Sequence, residues 1–219
     1  MSFLDEFLVS LLPGFFTTVE IVVLVIPLSI LLGMALAAMR VYGNRLLSVA
    51  VAAFVGIFRG ISLVVTLFII FFSLPELGIY FNSFWSAVIA FTIVSGAYES
   101  EYIRGAIQSV DIGQSLAAQA IGLSKAKEVI HIILPQSLRR ALPSISNECI
   151  YVILNSSLAA YIGVNEMFSI SKSINSFEFQ PIPIFLTTGL IYAAMGTFAT
   201  VSLKKFEHRL KIPGLDTAR

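Results

Sequence analysis

Residues 115–135 read SLAAQAIGLSKAKEVIHIILP. Long apolar runs flank the stretch, yet it is rich in small residues and carries Lys125 and Lys127. Gly113 lies just before it and Gly122 lies within it. Alanine and leucine favour helix and glycine stops it, so a helix of about two turns is expected between the two glycines. Ser124 is placed to cap a second helix through Leu134, which Pro135 should end. Lys127 stands where a capping box would have Glu or Gln, so the box is incomplete. A helix this short is marginal in water and must pack on something. Ala117, Ala118 and Ala120 allow close approach, either to another protein or to the chain's own membrane helices.

Composition sets the surrounding solvent. Of 219 residues, 57% are hydrophobic and 12% charged, with a mean hydropathy of +0.90. A soluble domain carries about 25% charged residues, so this chain is built for lipid. The net charge of +1 argues neither for nor against an acidic partner, and nothing calls for nucleic acid. The single cysteine, Cys149, excludes an internal disulfide framework and reads as a packing residue in an apolar run. The N-terminal MSFLDEFLVS has Asp5 and Glu6 where a secretory leader has Lys or Arg, so it is expected to stay uncleaved and outside.

A membrane span needs roughly 20 apolar residues. Five are expected, at about 15–39, 55–75, 84–103, 144–164 and 184–204, forming one all-α transmembrane domain over 1–219. Pro27 falls inside the first, where a membrane helix tolerates it. The second is interrupted by FRGIS at 58–62, so residues 46–58 are expected to start in the interface, and Pro75 should end the helix. Trp85 is placed as an interfacial anchor. The polar outer stretch from Asn165 to Pro183 is long enough for a short surface helix.

Basic residues set the orientation. With the first connection inside, Arg40, Arg45, Arg104, Lys125, Lys127, Arg139, Arg140, Lys204, Lys205, Arg209, Lys211 and Arg219 are all inside. Only Lys172 is outside, and Arg59 lies within a span. The N-terminus is therefore expected outside and the C-terminus in the cytosol. The quoted stretch falls in the longest inner connection, about 104–143, and a loop of that length is usually functional.

Ala117-Ala118, then Gly122, then Ile132, Leu134 and Pro135 match in spacing the cytosolic loop known as EAA. In this the chain resembles permease subunits of ABC importers. GQSLAAQAIGLS, ILPQSLRRALP, RGISLVVTLFIIFFSLP, AYESEYIRGAIQSV, SSLAAYIGVNEM and FEHRL resemble the polar amino-acid branch, the histidine, glutamine and arginine uptake group. The resemblance covers about residues 15–210. It implies a type I importer permease in a prokaryotic plasma membrane, working as a homodimer or heterodimer. It further implies a dimer of ATP-binding subunits, which hold ATP and Mg, and an external or periplasmic solute-binding protein. Gly113, Leu116, Ala117, Ala118, Ala120, Gly122 and Leu123 would form the helix that couples to the ATPase.

The chain departs from that pattern at identifiable positions. Leu116 stands where the motif has Glu. Ile61-Ser62-Leu63 lacks the branch's proline, and Thr66 replaces its usual Gln. Leu154-Asn155-Ser156 stands where Lys-Asp-Thr is usual, so two charges are absent beside the expected substrate path.

Ionisable residues inside spans default to functional hypotheses. Arg59 either lines the path or snorkels to the inner interface. Glu99 and Glu101 point to different helix faces; Glu99 is the path candidate, and Glu101 is expected to be structural, paired with Arg104. Glu20 sits near the outer end of the first span, where exposure explains it. Asn155, Ser156 and Ser157 either bond between helices or contact the solute, and Thr66 joins this path set. Asn147 and Glu148 are expected at the inner mouth. His131 and His208 are isolated, so no metal site is expected.

The chain has no G-x-x-x-x-G-K-[ST] loop, so it is not expected to hold ATP in that way and is not read as an enzyme. An intramembrane hydrolase would need H-E-x-x-H or aspartates in its spans; Asp occurs only at 5, 111 and 216. The alternative is an ion- or proton-coupled secondary amino-acid transporter, whose usual internal repeat is not evident. A channel would leave the structured inner loop without a role.

Overall fold

The computed structural model describes residues 3–210, and among these every regular element is a helix. Lys211 and Arg219, counted above with the inner charges, lie outside the described residues, as does the Asp5 side chain.

Helix α1 runs Phe3–Tyr42 and passes through Pro13 and Pro27 without breaking. Near Pro27, Ser29 Oγ donates to the Ile26 carbonyl at 3.0 Å. Asn44 caps α2 (Arg45–Gly60), accepting from the Leu47 amide at 2.8 Å. Ser48 Oγ then donates to the Arg40 carbonyl at 2.9 Å and pins α2 back on α1.

The stretch expected as one span at 55–75 is two helices. α2 ends at Gly60, and Leu63–Leu77 departs from it at 106°. It comprises α3 (Leu63–Phe68), a π turn at Ile69–Ser73 and a 3-10 turn at Leu74–Leu77. The break falls at Ile61 and Ser62, both extended. Pro75 sits in the first turn of the 3-10 segment, and Gly78 at φ 82° closes it.

Helix α4 (Ser83–Gln108) is capped by Asn82, whose side chain accepts from the Trp85 amide at 2.9 Å. It runs through the middle of the bundle, against α1, α2, α3 and α7. Close approach is built from glycine, as lipid supplies no hydrophobic drive between helices. A Cβ on Gly33 of α1 would lie 2.8 Å from the Glu99 Cβ, and one on Gly96 of α4 would lie 2.9 Å from Leu32.

The connection between α4 and the next long helix holds α5 (Ile112–Ala120) and α6 (Lys125–Glu128). Pro135 does not end the second of these. A π turn at Val129–Ile133 leads directly into α7 (Leu134–Asn155), with Pro135 in its first turn. Ile133 and Leu134 are already helical there, so Pro135 follows the π turn within one continuous helical stretch. A 3-10 segment, Ser156–Ile162, extends α7 to Gly163 at φ 82°.

Helix α8 (Met167–Glu178) is the expected outer helix, but it is packed in and does not lie free. A Cβ on Gly14 of α1 would come within 2.8 Å of the Met167 Cα. Helix α9 (Pro181–Leu210) completes the chain.

Two described helices, α1 and α9, are long and apolar enough by composition to cross a membrane, and the bent α2–α3 pair makes a third if counted as one. Helices α4 and α7 carry Glu99, Glu101, Arg104 and Glu148, which lowers their apolarity. Those side chains face protein: Glu99 is 1% exposed and Glu148 6%. Cys149 is free and buried, as its apolar surroundings implied.

Candidate functional site

The most accessible structured feature is α5. Asp111 caps its start, accepting from the Gly113 amide at 2.6 Å, so Gly113 lies inside the first turn. At the other end the Leu123 amide donates to the Ala118 carbonyl at 3.0 Å, and the Gly122 amide to that of Gln119 at 2.9 Å. This paired closure needs a left-handed residue after the helix, and Gly122 supplies it at φ 78°.

The residues expected to couple divide by face. Ala118 is 1% exposed and seats the helix on its own chain. Leu116 is 59% exposed, beside Ile112 and Ile121 at 75% each; Ala117 and Ala120 are exposed too. The alternative of packing on its own chain is met at Ala118. On the opposite side Ile112, Leu116 and Ala120 form an exposed apolar strip with Leu116 at the centre.

A salt-bridged brace holds the helix from behind. Ser115 Oγ donates to Glu128 Oε1, and Lys125 Nζ donates to the same oxygen at 2.6 Å. Glu128 is fully buried, and hydrogen bonds from Lys125 and then Ser115 hold its carboxyl below the usual carboxylate range. Arg140 Nη1 donates to the Ser109 carbonyl and, at 3.0 Å, to its hydroxyl, tying α7 to the end of α4.

The path candidates fall into separate settings. Arg59 is exposed, its guanidinium 5.1 Å from the centre of the Tyr98 ring, and Tyr98 Oη donates to the Arg59 carbonyl at 3.2 Å. Next to Tyr98, Glu99 points inward to Ser29 and Gly33 of α1, and its Oε2 has no hydrogen-bond partner. Thr66 is buried, its hydroxyl donating to the Ser62 carbonyl at 3.3 Å beside the bend. Asn155 and Ser157 are half-buried, each bonded to a carbonyl of its own helix. Ser156 is fully buried, its hydroxyl donating to the Ile153 carbonyl at 2.7 Å.

Glu101 takes the structural part expected of it. Arg104 donates to its Oε2 from Nε at 3.0 Å and from Nη2 at 2.7 Å, and Arg40 of α1 also pairs with it. Glu20 is exposed. Glu148, expected at an inner mouth, is buried with Oε1 unpartnered and faces Ser95 of α4. Its position directly before an apolar run was the available signal. Glu166 went unremarked in the sequence, yet it is a fully buried lock. It accepts from the amides of Phe168 at 2.8 Å and Ser169 at 2.6 Å, and from Tyr192 Oη of α9 at 2.5 Å. Thr18 of α1 completes the joint, its Oγ1 accepting from the Met167 amide at 3.3 Å. Among the described residues no cluster of His, Cys, Asp or Glu could hold a metal.

Among the described residues a helical bundle thus carries a short, doubly capped helix on the connection between α4 and α7. The chain belongs to the family described as binding-protein-dependent transport system inner membrane component, matched over residues 29–212. It is 37% identical over 181 residues to the probable amino-acid ABC transporter permease protein YckA of Bacillus subtilis (strain 168), covering 81% of this chain and 80% of that one. With the arginine transport system permease protein ArtQ of the same organism it shares 31% over 202 residues, 92% of each. Among solved structures it is similar to an amino acid ABC transporter crystallised with histidines, with TM-score 0.86 and 27% identity over 95% of this chain and 99% of that one. The MetNI methionine ABC transporter in an inward-facing conformation shares the fold, with TM-score 0.82 and 16% identity over 97% of this chain and 100% of that one. The fold is thus the type I importer permease fold.

Proposed function

We propose that this chain is the translocation subunit of an ATP-driven importer of amino acids in a prokaryotic plasma membrane. The observation that carries the reading is the outward strip Ile112, Leu116 and Ala120 on a helix capped at both ends. Such a strip, on a rigid two-turn element, is shaped to seat in a groove of an ATP-binding subunit. Ala118 and the Ser115–Glu128 brace transmit the push to α7 and α4. Closure of the ATPase dimer, with ATP and Mg held there, would rock these packed elements as bodies. The names of the relatives support the solute class, amino acids.

In this reading α1, the bent α2–α3 pair, α4, α7 and α9 make five passes across the membrane, with the N-terminus outside and the C-terminus in the cytosol. Helices α4 and α7 cross within the bundle, which is why they tolerate the buried carboxylates Glu99 and Glu148. The whole chain is one transmembrane domain. A second permease subunit supplies the other half of the path, and an external binding protein delivers the solute to α8 and the outer turns. Arg59 is a cation available to a solute carboxylate, and Thr66, Glu99, Asn155, Ser156 and Ser157 are the other polar groups assigned to the path. Nothing observed favours ion- or proton-coupled secondary transport.

The test is uptake by proteoliposomes holding this chain with its partner subunits and binding protein. ATP inside the vesicle should drive amino-acid uptake that persists when ion gradients are collapsed, and Asn155→Leu should lower uptake without loss of assembly. Uptake that follows an ion gradient and ignores ATP would refute the reading.

A further inference from the structure

Behind α5 lies a cavity of about 310 Å³, at the small end of the range for ligand pockets. Its floor is the inner ends of α1 and α4, with Val41, Ile107 and Val110; its other wall is the brace, with Asp111, Ser115, Lys125 and Glu128. Two carboxylates face one ammonium, so the lining is net negative. The brace uses only one oxygen of Glu128. Lys125 and Ser115 both bond Oε1, Gln119 approaches the carboxylate, and Oε2 is buried with no hydrogen-bond partner. Asp111 commits Oδ1 to the Gly113 amide. A buried, unsatisfied carboxylate oxygen is costly, and a charged donor relieves it.

We propose that this cavity is a cytosolic-side binding site for an ammonium-bearing small molecule. The ammonium lies between the Asp111 and Glu128 carboxylates, and the apolar portion lies on Val41, Ile107 and Val110. An occupant touches the span ends and the coupling helix at once, so it stiffens the connection between them. Two sources present this chemistry at the inner membrane surface: a free amino acid and the headgroup of an ethanolamine lipid. The site is separate from the path and does not depend on which solute is carried.

The test uses the full-length chain in nanodiscs of phosphatidylcholine, whose quaternary ammonium has no hydrogen to donate. Amide hydrogen exchange across residues 111–128 is read with added L-arginine, and separately in discs containing phosphatidylethanolamine. An occupant at tenfold its Kd lowers local opening about tenfold. The expected result is that slowing with one probe, which identifies the source, or with both, which shows that either source serves. Asp111→Asn keeps the cap and Glu128→Gln keeps the shape; each should reduce the slowing at least severalfold, while Asn155→Leu in the path leaves it intact. The proposal is overturned if neither probe slows exchange, if Asp111→Asn and Glu128→Gln respond like the unaltered chain, or if Asn155→Leu abolishes the slowing.

Discussion

Ser115 on α5 and Glu128 at the end of α6 are joined hydroxyl to carboxylate across 13 residues of chain. The bond fixes a marginal two-turn helix to the connection that carries it. The family's motif has a glutamate on the helix itself; here that position is Leu116, which faces outward. The carboxylate near the helix comes instead from Glu128, and it serves the brace.

The brace has a pH signature. The Glu128 carboxyl is held below the usual carboxylate range, by Lys125 first and Ser115 second. Its folded pKa is therefore lower than its unfolded one, so its stabilisation is complete above the ordinary glutamate pKa of about 4.3 and disappears as pH falls through the lower folded value. Proteolysis of the loop should stay constant down to about that pH and accelerate below it. In Lys125→Met the loop should be cleaved faster at neutral pH and the further acceleration on acidification should be smaller; an unchanged profile would show that Lys125 does not hold the carboxylate.

Gly122 at φ 78° closes α5. Alanine there costs about 1–2 kcal/mol in the left-handed region. Gly122→Ala should fray the helix end, seen as faster exchange at the Leu123 amide, with little effect on the stability of the bundle. Equal protection in the variant would mean that the closure contributes nothing.

Gly14 sets the α1–α8 contact. An added Cβ would meet the Met167 Cα at 2.8 Å and the Glu166 carbonyl carbon at 2.9 Å, both backbone. Neither can move as a side chain can, so Gly14→Ala should cost about 1–3 kcal/mol by overpacking. A thermal unfolding midpoint equal to that of the unaltered chain would show that α8 yields freely.

Much of this architecture was legible in the sequence. The two-turn helix, its closing glycine, the Glu101–Arg104 pair and the buried Cys149 all follow from local rules: capping residues, i to i+3 spacing and apolar context. What was not legible depends on tertiary neighbours. The π turn that carries α6 into α7 past Pro135, and the bend that divides residues 55–75, are decided by packing. Composition also cannot tell which side of α5 is buried, since Ala117 and Ala118 are chemically alike; only the seat beneath Ala118 distinguishes them. Glu148 and Glu166 were hidden for the same reason, as their burial is conferred by α4, α1 and α9.

The central claim is that the outward strip of α5 seats in an ATP-binding subunit. A charge placed in a buried apolar contact removes an anchor of about 2 kcal/mol or more, which corresponds to roughly a thirtyfold loss of affinity. The direct measurement is co-purification with the ATP-binding subunit, together with solute-stimulated ATP hydrolysis, for Leu116→Arg. Leu116 is 59% exposed, so the chain itself should fold and insert as before. The account predicts that the variant loses its ATPase partner and its stimulated hydrolysis while retaining the unfolding temperature of the isolated chain. Retention of both partner and stimulation at unaltered levels would contradict it.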